Sequence, residues 1–288
     1  QGGGEYKAAL TRYNPQVFRG QVATVANYQN QLVVNNLLFD HTQEVNMQYL
    51  AEKNSNKYAA AYPLFAPYQY DKKDGSLWFK TFGTFERLSM THDLNVNNNF
   101  YGTLIGADFP AIELKKGWTL LPTAYIGYLG AHQTFSHVGM YQNGGQGGAM
   151  ATFMKDDFIG SILAYGGGYG NEMNVAGYTD KTGNWYAGTA AKAAYNFHPS
   201  KHFIIQPTLL ASYNLFGEQK WHTDFGDMHM YSKMLNGVNA APGINFIYGR
   251  ESWSIYATVQ YFYNILGYSD GRAGHVNLSG IRMRHGFL

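Results

Sequence analysis

SWSIYATVQYFYNIL, residues Ser252 to Leu266, alternates along its whole length. Trp253, Ile255, Ala257, Val259, Tyr261, Tyr263 and Ile265 fall on one face. Ser252, Ser254, Tyr256, Thr258, Gln260, Phe262 and Asn264 fall on the other. A period of two sustained this long means a β-strand, and one about twice the usual soluble length, which peaks near roughly 5–6 residues. The first face is apolar with aromatic residues near its ends, and the second is small and polar with an occasional ring. A strand tilted through a bilayer has this form, because lipid wets one face and a watery lumen the other. Trp253, Ile255, Val259, Tyr261 and Tyr263 are therefore expected to face lipid.

The rest of the composition agrees. Charged residues make up 14% of the 288, well below the usual quarter, while aromatics reach 16%, with 24 Tyr and 34 Gly. Barrels use rings as interfacial girdles and Gly to relieve crowding. No apolar run approaches the ~18 residues of a transmembrane helix. Cys is absent, as suits passage through an oxidising compartment. A net charge of +2 gives no footprint for a nucleic-acid partner. The opening Gln1-Gly2-Gly3-Gly4 is neither an initiator nor a signal peptide, and a segment of a longer precursor is expected.

Residues 1–13 read as a linker. Asn14-Pro15 predicts a helix start, with Asn as N-cap and Pro at the first position. The helix expected over Pro15–Phe39 would be roughly 38 Å long. It carries Arg19, Gln21, Asn27, Gln29, Asn30, Gln31, Asn35 and Asn36, which lipid would not accept, so it suits a wet channel better. An ordinary surface helix on a soluble domain is the plain alternative. His41–Glu52 extends this helix or starts a second one, and Tyr58–Tyr70, with Pro63 and Pro67, is read as a connector.

Ten strands are expected: Leu77–Leu88, Phe100–Phe109, Gly117–His132, Gly145–Met154, Phe158–Gly170, Asn184–Phe197, His202–Asn214, Asn236–Tyr248, Ser252–Leu266 and Gly280–Leu288. Pro122, Pro207 and Pro242 fall inside them, and bulges are expected there. The connections alternate between short (110–116, 155–157, 198–201, 249–251) and long (89–99, 133–144, 171–183, 215–235, 267–279). Outer-membrane barrels have short periplasmic turns and long extracellular loops, so the long segments are expected outside the cell.

A long helix followed by amphipathic strands resembles the C-terminal translocator β-barrel domain of type V secretion autotransporters. Ser76-Leu77-Trp78-Phe79-Lys80-Thr81-Phe82-Gly83 looks like that family's W-x-R-x-x-G first strand, with Lys80 in place of Arg. Tyr101-Gly102-Thr103-Leu104-Ile105-Gly106-Ala107-Asp108 is similar to its G-x-x-x-G-x-D second strand, and Thr123–Tyr128 to its third. The resemblance covers roughly residues 14–288. It implies an all-β, antiparallel up-and-down barrel of 12 strands with the helix in its pore, Arg19, Gln21, Asn27, Gln31 and Asn35 facing the lumen. It divides the chain into a passenger linker (1–13), pore helix and connector (14–75) and outer-membrane barrel (76–288). The implied role is to anchor an N-terminal passenger and help export it. The implied setting is the outer membrane of a Gram-negative-type bacterium. The implied partners are outer-membrane lipid, the barrel assembly machinery, periplasmic chaperones and the chain's own passenger. The implied cofactor and metal content is none. With ten strands in view and Phe287 penultimate, the last two strands are expected to be missing from the fragment; an intact ten-stranded barrel competes.

Four chemistries stand against plainer readings. Val34-Asn35-Asn36-Leu37 resembles a stretch cleaved between its two Asn in one autotransporter subgroup, by attack of the Asn side chain on its own backbone. That needs a dry, oriented amide and nearby carboxylates, for which Glu86 or Asp108 would have to serve. Two polar residues in a wet pore is the favoured reading. Asp227-Met228-His229, with His222 and Asp224, resembles the spacing of outer-membrane proteases, but the adjacent pair Asp156-Asp157 lies at the other end, so the stretch is read as a polar loop. His132, His137, His222 and His229 lack metal-ligand spacing. Gly166-Gly167-Gly168 with Gly170 lacks the following helix of a phosphate loop and is expected to let the pore helix approach the wall. A general porin for small solutes is the rival to the translocator; the helix separates them.

Overall fold

The structure is a computed structural model and describes residues 14–53, 71, 73–200, 202–250 and 253–287. The linker expected at 1–13 and the connector expected at Tyr58–Tyr70 lie outside them. The Asn14 side chain accepts from the Gln16 backbone N–H at 3.0 Å and opens a 3-10 turn, Pro15–Phe18, that runs into helix α1, Arg19–Lys53. The helix is longer than Pro15–Phe39: the 35 residues after the turn form one rod about 52 Å in length. His41–Glu52 continues it because no Gly or Pro follows Gly20 before Lys53. No helix among the described residues is long and apolar enough to cross a membrane.

Sixteen strands follow among the described residues: β1 Ser76–Ser89, β2 Asn95–Asp108, β3 Ile112–Glu113, β4 Thr119–Phe135, β5 Val138–Lys155, β6 Phe158–Val175, β7 Tyr178–Tyr195, β8 Phe197–Ser200, β9 Phe203–Phe216, β10 Gln219–Thr223, β11 Met228–Ser232, β12 Leu235–Arg250, β13 Trp253–Leu266, β14 Tyr268–Ala273, β15 Val276–Arg282 and β16 Gly286–Phe287. The wall is one antiparallel sheet with the path β1-β2-β4-β5-β6-β7-β9-β12-β13-β16, while β3 and β8 pair with β4 and β9. The sheet curls around α1 and touches it from β1 through β13. A second sheet, β10-β11-β14-β15, lies across one end.

The expected long loops are mostly ladder. Residues 133–144 and 171–183 are the arms of hairpins β4–β5 and β6–β7, closed by the two-residue turns Ser136-His137 and Ala176-Gly177. All four turn residues have positive φ, 44° and 64° then 48° and 84°, as primed hairpin turns require. Their Gln, Asn and Gly content resembles loop sequence, but the inward side chains meet α1 and the small residues seat rings. Residues 215–235 and 267–279 hold β10–β11 and β14–β15, the second sheet. Long and short connections therefore do not alternate as loops.

The expected tenth strand divides. Residues 276–282 belong to the second sheet as β15, and Gly286–Phe287 alone pairs with β13, at Phe262 and Tyr261. His285, which breaks the alternation, accepts the Asn264 backbone N–H at Nδ1, 3.0 Å, and stacks on Tyr263 at 4.5 Å. Residues 282–284 reach across to the end of β1 through the Met90↔Met283 bridge and two backbone bonds of 3.0 Å. From Leu77 to Leu88, β2 is the one ladder partner of β1 among the described residues. A seam between β1 and β13 results.

The prolines mark changes of neighbour rather than bulges. Pro122 stands in register opposite Ala151, where β4 passes from β2 to β3, and its carbonyl accepts from Phe109 N–H at 2.9 Å. Pro207 stands where β9 passes from β7 to β8. Pro242 keeps register with Leu209. The missing donors of Pro122 and Pro207 thus fall where the ladder changes hands. The irregularity in β12 is at Val238/Asn239 instead.

Candidate functional site

The helix-filled lumen is the candidate site, and three zones hold α1. In the outer zone Val17, Phe18, Val22, Ala23, Val25 and Ala26 are all buried. These positions go right around the helix, so it is enclosed on every side. They pack with Trp221, Met230, Leu278 and Ile281 of the second sheet. That sheet is a cap, tied to the helix by Gln21 Nε2, which donates to the carbonyls of Ser269 (2.6 Å) and Ser279 (3.1 Å). Gly20 lies under Trp221: a Cβ there would sit 2.3 Å from the indole ring.

One buried ion pair joins this end of α1 to the wall. Arg19 donates through Nε (2.8 Å) and Nη2 (2.5 Å) to Asp180 Oδ2, and its Nη1 donates to the Gln16 carbonyl. Trp221 Nε1 donates to the same Asp180 oxygen at 3.1 Å. The guanidinium carbon is 5.9 Å from the rings of both Trp221 and Phe225. Neither partner sees solvent, with side-chain exposures of 0% and 3%. A buried charge survives only when paired and bonded in this way.

The middle zone is a layer of tyrosines and amides. Gln31 donates to Tyr169 OH and Asn35 to Tyr165 OH, each at 3.3 Å, and Tyr165 OH donates to Asn214. Tyr186 OH donates to Gln146 Oε1 at 3.0 Å. Asn98 Nδ2 donates to Asn30 Oδ1 at 2.7 Å, and Asn36 Nδ2 to Gln260 Oε1 at 2.8 Å. Asn27 is fully buried and its amide bonds no described protein group, which suits a lumen that admits water. Strand glycines seat the rings here: a Cβ on Gly167 would meet Tyr186, one on Gly148 Tyr125 and one on Gly188 Tyr165, all inside 3 Å. The Gly166–Gly168 run thus accommodates wall tyrosines, not the helix directly.

In the inner zone the stretches that carried the family resemblance meet one turn of α1. His41 Nε2 is 2.8 Å from Asp108 Oδ2, and Thr123 Oγ1 donates to Asp108 Oδ1 at 2.6 Å. Both His41 and Asp108 side chains are fully buried. Lys80 donates to Glu44 at 3.0 and 3.1 Å. Trp78 packs tilted against His41 with ring centres 4.4 Å apart and lies where a Cβ on Gly106 would be. Trp78 and Lys80 come from β1, Gly106 and Asp108 from β2, and Thr123 from β4. Lys192 adds a bond to Asp40 at 3.2 Å.

Arg19, Gln21, Asn27, Gln31 and Asn35 are all buried inside the wall. Ile255, Val259, Tyr261 and Tyr263 point outward with exposures of 57%, 53%, 36% and 48%; Trp253 contributes its backbone to β13, opposite Arg250, and its side chain lies outside the described part. Asn35 and Asn36 sit within α1, and the carboxylates named for their cleavage do not reach them. Asp108 is held by His41 and Thr123, and Glu86 lines the seam beside Gln29. Aspartate in place of Asn35 is expected to leave the fragment pattern of purified protein unchanged on gels; a smaller fragment lost in that variant would establish self-cleavage. His222 and His229 face each other across β10–β11, with rings 5.0 Å apart, and His222 lies 3.4 Å from Asp227, all on an exposed hairpin. No group of three metal-ligating side chains occurs among the described residues.

Sequence reasoning missed Asp180 and Trp221, which it placed in loops, and the role of His41 and Glu44. Period two was the available signal: Asp180, Asn184 and Tyr186 all point inward on β7.

No protein-family model and no curated protein sequence matches the chain. Among solved structures, the β domain of the Bordetella autotransporter BrkA is similar, with 16% sequence identity and a TM-score of 0.58. The match covers 75% of this chain and 97% of that one. The chain has the fold of an autotransporter β domain, an antiparallel β-barrel wall around an N-terminal helix.

Proposed function

We propose that the chain is an outer-membrane translocator domain, which anchors an N-terminal passenger and helps bring it to the cell surface. The observation that carries this reading is a helix enclosed along the lumen and fastened at two levels, at its start by Arg19–Asp180 beneath the cap and some two thirds of the way along by His41–Asp108 and Glu44–Lys80. A small-solute porin gains nothing from filling its conduit this way, whereas a domain whose preceding chain leaves through the lumen ends up with such a helix inside. The fold likeness supports the same reading. Residues 1–13 then serve as passenger linker, 14–75 as pore helix and connector, and 76–288 as barrel. The capped end faces outside, where β10–β11 and β14–β15 lie in water. The outer membrane supplies the lipid, and barrel assembly machinery and periplasmic chaperones act on the chain as they do on the family. The chemistry of the lumen is structural and not enzymatic.

Planar-bilayer conductance tests it. The whole chain is expected to conduct poorly, and a chain lacking residues 1–45 to conduct well. High conductance from both would place the helix outside the lumen in membranes and favour a porin. Low conductance from both would mean that the cap or the Tyr58–Tyr70 segment also plugs the barrel.

A further inference from the structure

The outer face of the wall is studded with large side chains, such as Leu77, Phe79 and Ile126 at 80%, 63% and 67% exposure. On β6, β7 and β9 it drops to a trough. Gly160 pairs with Ala193, and Ala191 with Ala211, so a diagonal of small residues crosses three strands, between Leu209 opposite Ala193 and Ile162 opposite Ala191. Phe153 and Leu209 stand at the sides of this trough. At its mouth the Phe158 ring leans over Gly160, where a Cβ would be 3.2 Å away, and Trp118 meets Phe158 edge-on at 5.9 Å.

The mouth is basic. Lys155 Nζ lies 5.8 Å from the centre of the Trp118 ring, and Lys115 and Lys116 are exposed in the 3-10 turn that leads into Trp118. The acids on this edge are Glu113, Asp156 and Asp157; the last is bonded to His198 at 3.0 Å. An aromatic rim with lysines beyond it and a narrow apolar trough beneath it matches a phospholipid in three parts. The lysines meet the phosphate, Trp118 and Phe158 the glycerol level, and the trough one acyl chain.

Resting on the translocator reading, we propose that this trough holds one anionic phospholipid of the leaflet at the uncapped end of the barrel. A zwitterionic headgroup offers the same phosphate but brings its own cation against the lysines, so selectivity lies in net charge. Each lysine near the surface contributes about a fivefold gain in affinity for an anionic lipid. The acyl chain's contribution depends on the floor staying small.

The test uses the full chain in detergent, native mass spectrometry, and phosphatidylglycerol or phosphatidylethanolamine with identical acyl chains. The wild type is expected to retain one phosphatidylglycerol in preference. Lys115→Gln, Lys116→Gln and Lys155→Gln together should abolish the preference, and Ala193→Leu, which fills the floor, should lower retention of both lipids. Equal retention by the wild type, or an Ala193→Leu variant that behaves as wild type, would overturn the proposal. So would a dimer that Ala193→Leu dissolves, which would assign the trough to a second copy. Protease protection in phosphatidylglycerol vesicles separates the two readings. A chain that never enters the vesicles sinks the barrel function itself, and one that inserts without lipid preference sinks only the lipid site.

Discussion

Replacing Asp180 with Ala while keeping Arg19 is expected to destabilise the folded chain by about 3–5 kcal/mol, the cost of leaving a buried charge without its partner. The guanidinium would stay in a place with no solvent, and Trp221 Nε1 would lose its acceptor as well. The loss should appear as a lower urea midpoint in detergent, and as faster trypsin cleavage at Arg19, because the pair fastens the helix end under the cap. Arg19→Met combined with Asp180→Leu should recover most of the stability, since apolar replacements of similar volume are often neutral at such sites. That double variant separates the need for a filled space from the need for charge. A single-variant loss below about 1 kcal/mol, typical of exposed pairs, would show that water reaches the pair and that it does not lock the helix.

Much of the wall was legible because period two survives wherever the outer face and the lumen impose opposite demands on neighbouring residues. Val259 and Tyr261 point outward while Gln260 and Phe262 point inward, as the alternation in 252–266 requires. The helix start was legible too, since Asn14 and Pro15 act locally. The strand ends were not. Toward the capped end both faces of a hairpin can be polar, so the hydrophobic contrast fades although the backbone ladder continues; residues 171–183 are strand and turn for this reason. The second sheet was hidden in the same way, because its strands pair across segments distant in sequence, Met230 with Ala273 among them. The site was half legible. Polar residues on α1 announced a lumen, and Trp78, Lys80 and Asp108 stood out as motif residues. Their partners His41 and Glu44 on the helix follow only from the depth at which α1 sits, which no local pattern encodes.

The outward face carries the other large effect. Ile126 lies on β4, paired through its backbone with Ile105 of β2 on one side and Gly147 of β5 on the other, and its side chain is 67% exposed. If the band containing Phe79, Ile105 and Ile126 is the lipid-facing midplane, Ile126→Arg should cost roughly 2–4 kcal/mol, whereas Thr179→Arg, at the exposed tip of the β6–β7 hairpin, should cost roughly 0–1. In detergent micelles the two variants should fold alike, because a micelle deforms around a single charge. In phosphatidylcholine vesicles Ile126→Arg should lower the folded fraction, read as the heat-sensitive band on unboiled gels, while Thr179→Arg should not. The contrast depends on depth and not on exposure, since both positions are open. An equal response of the two variants in vesicles would mean that the aromatic and aliphatic side chains of the outer wall do not face hydrocarbon.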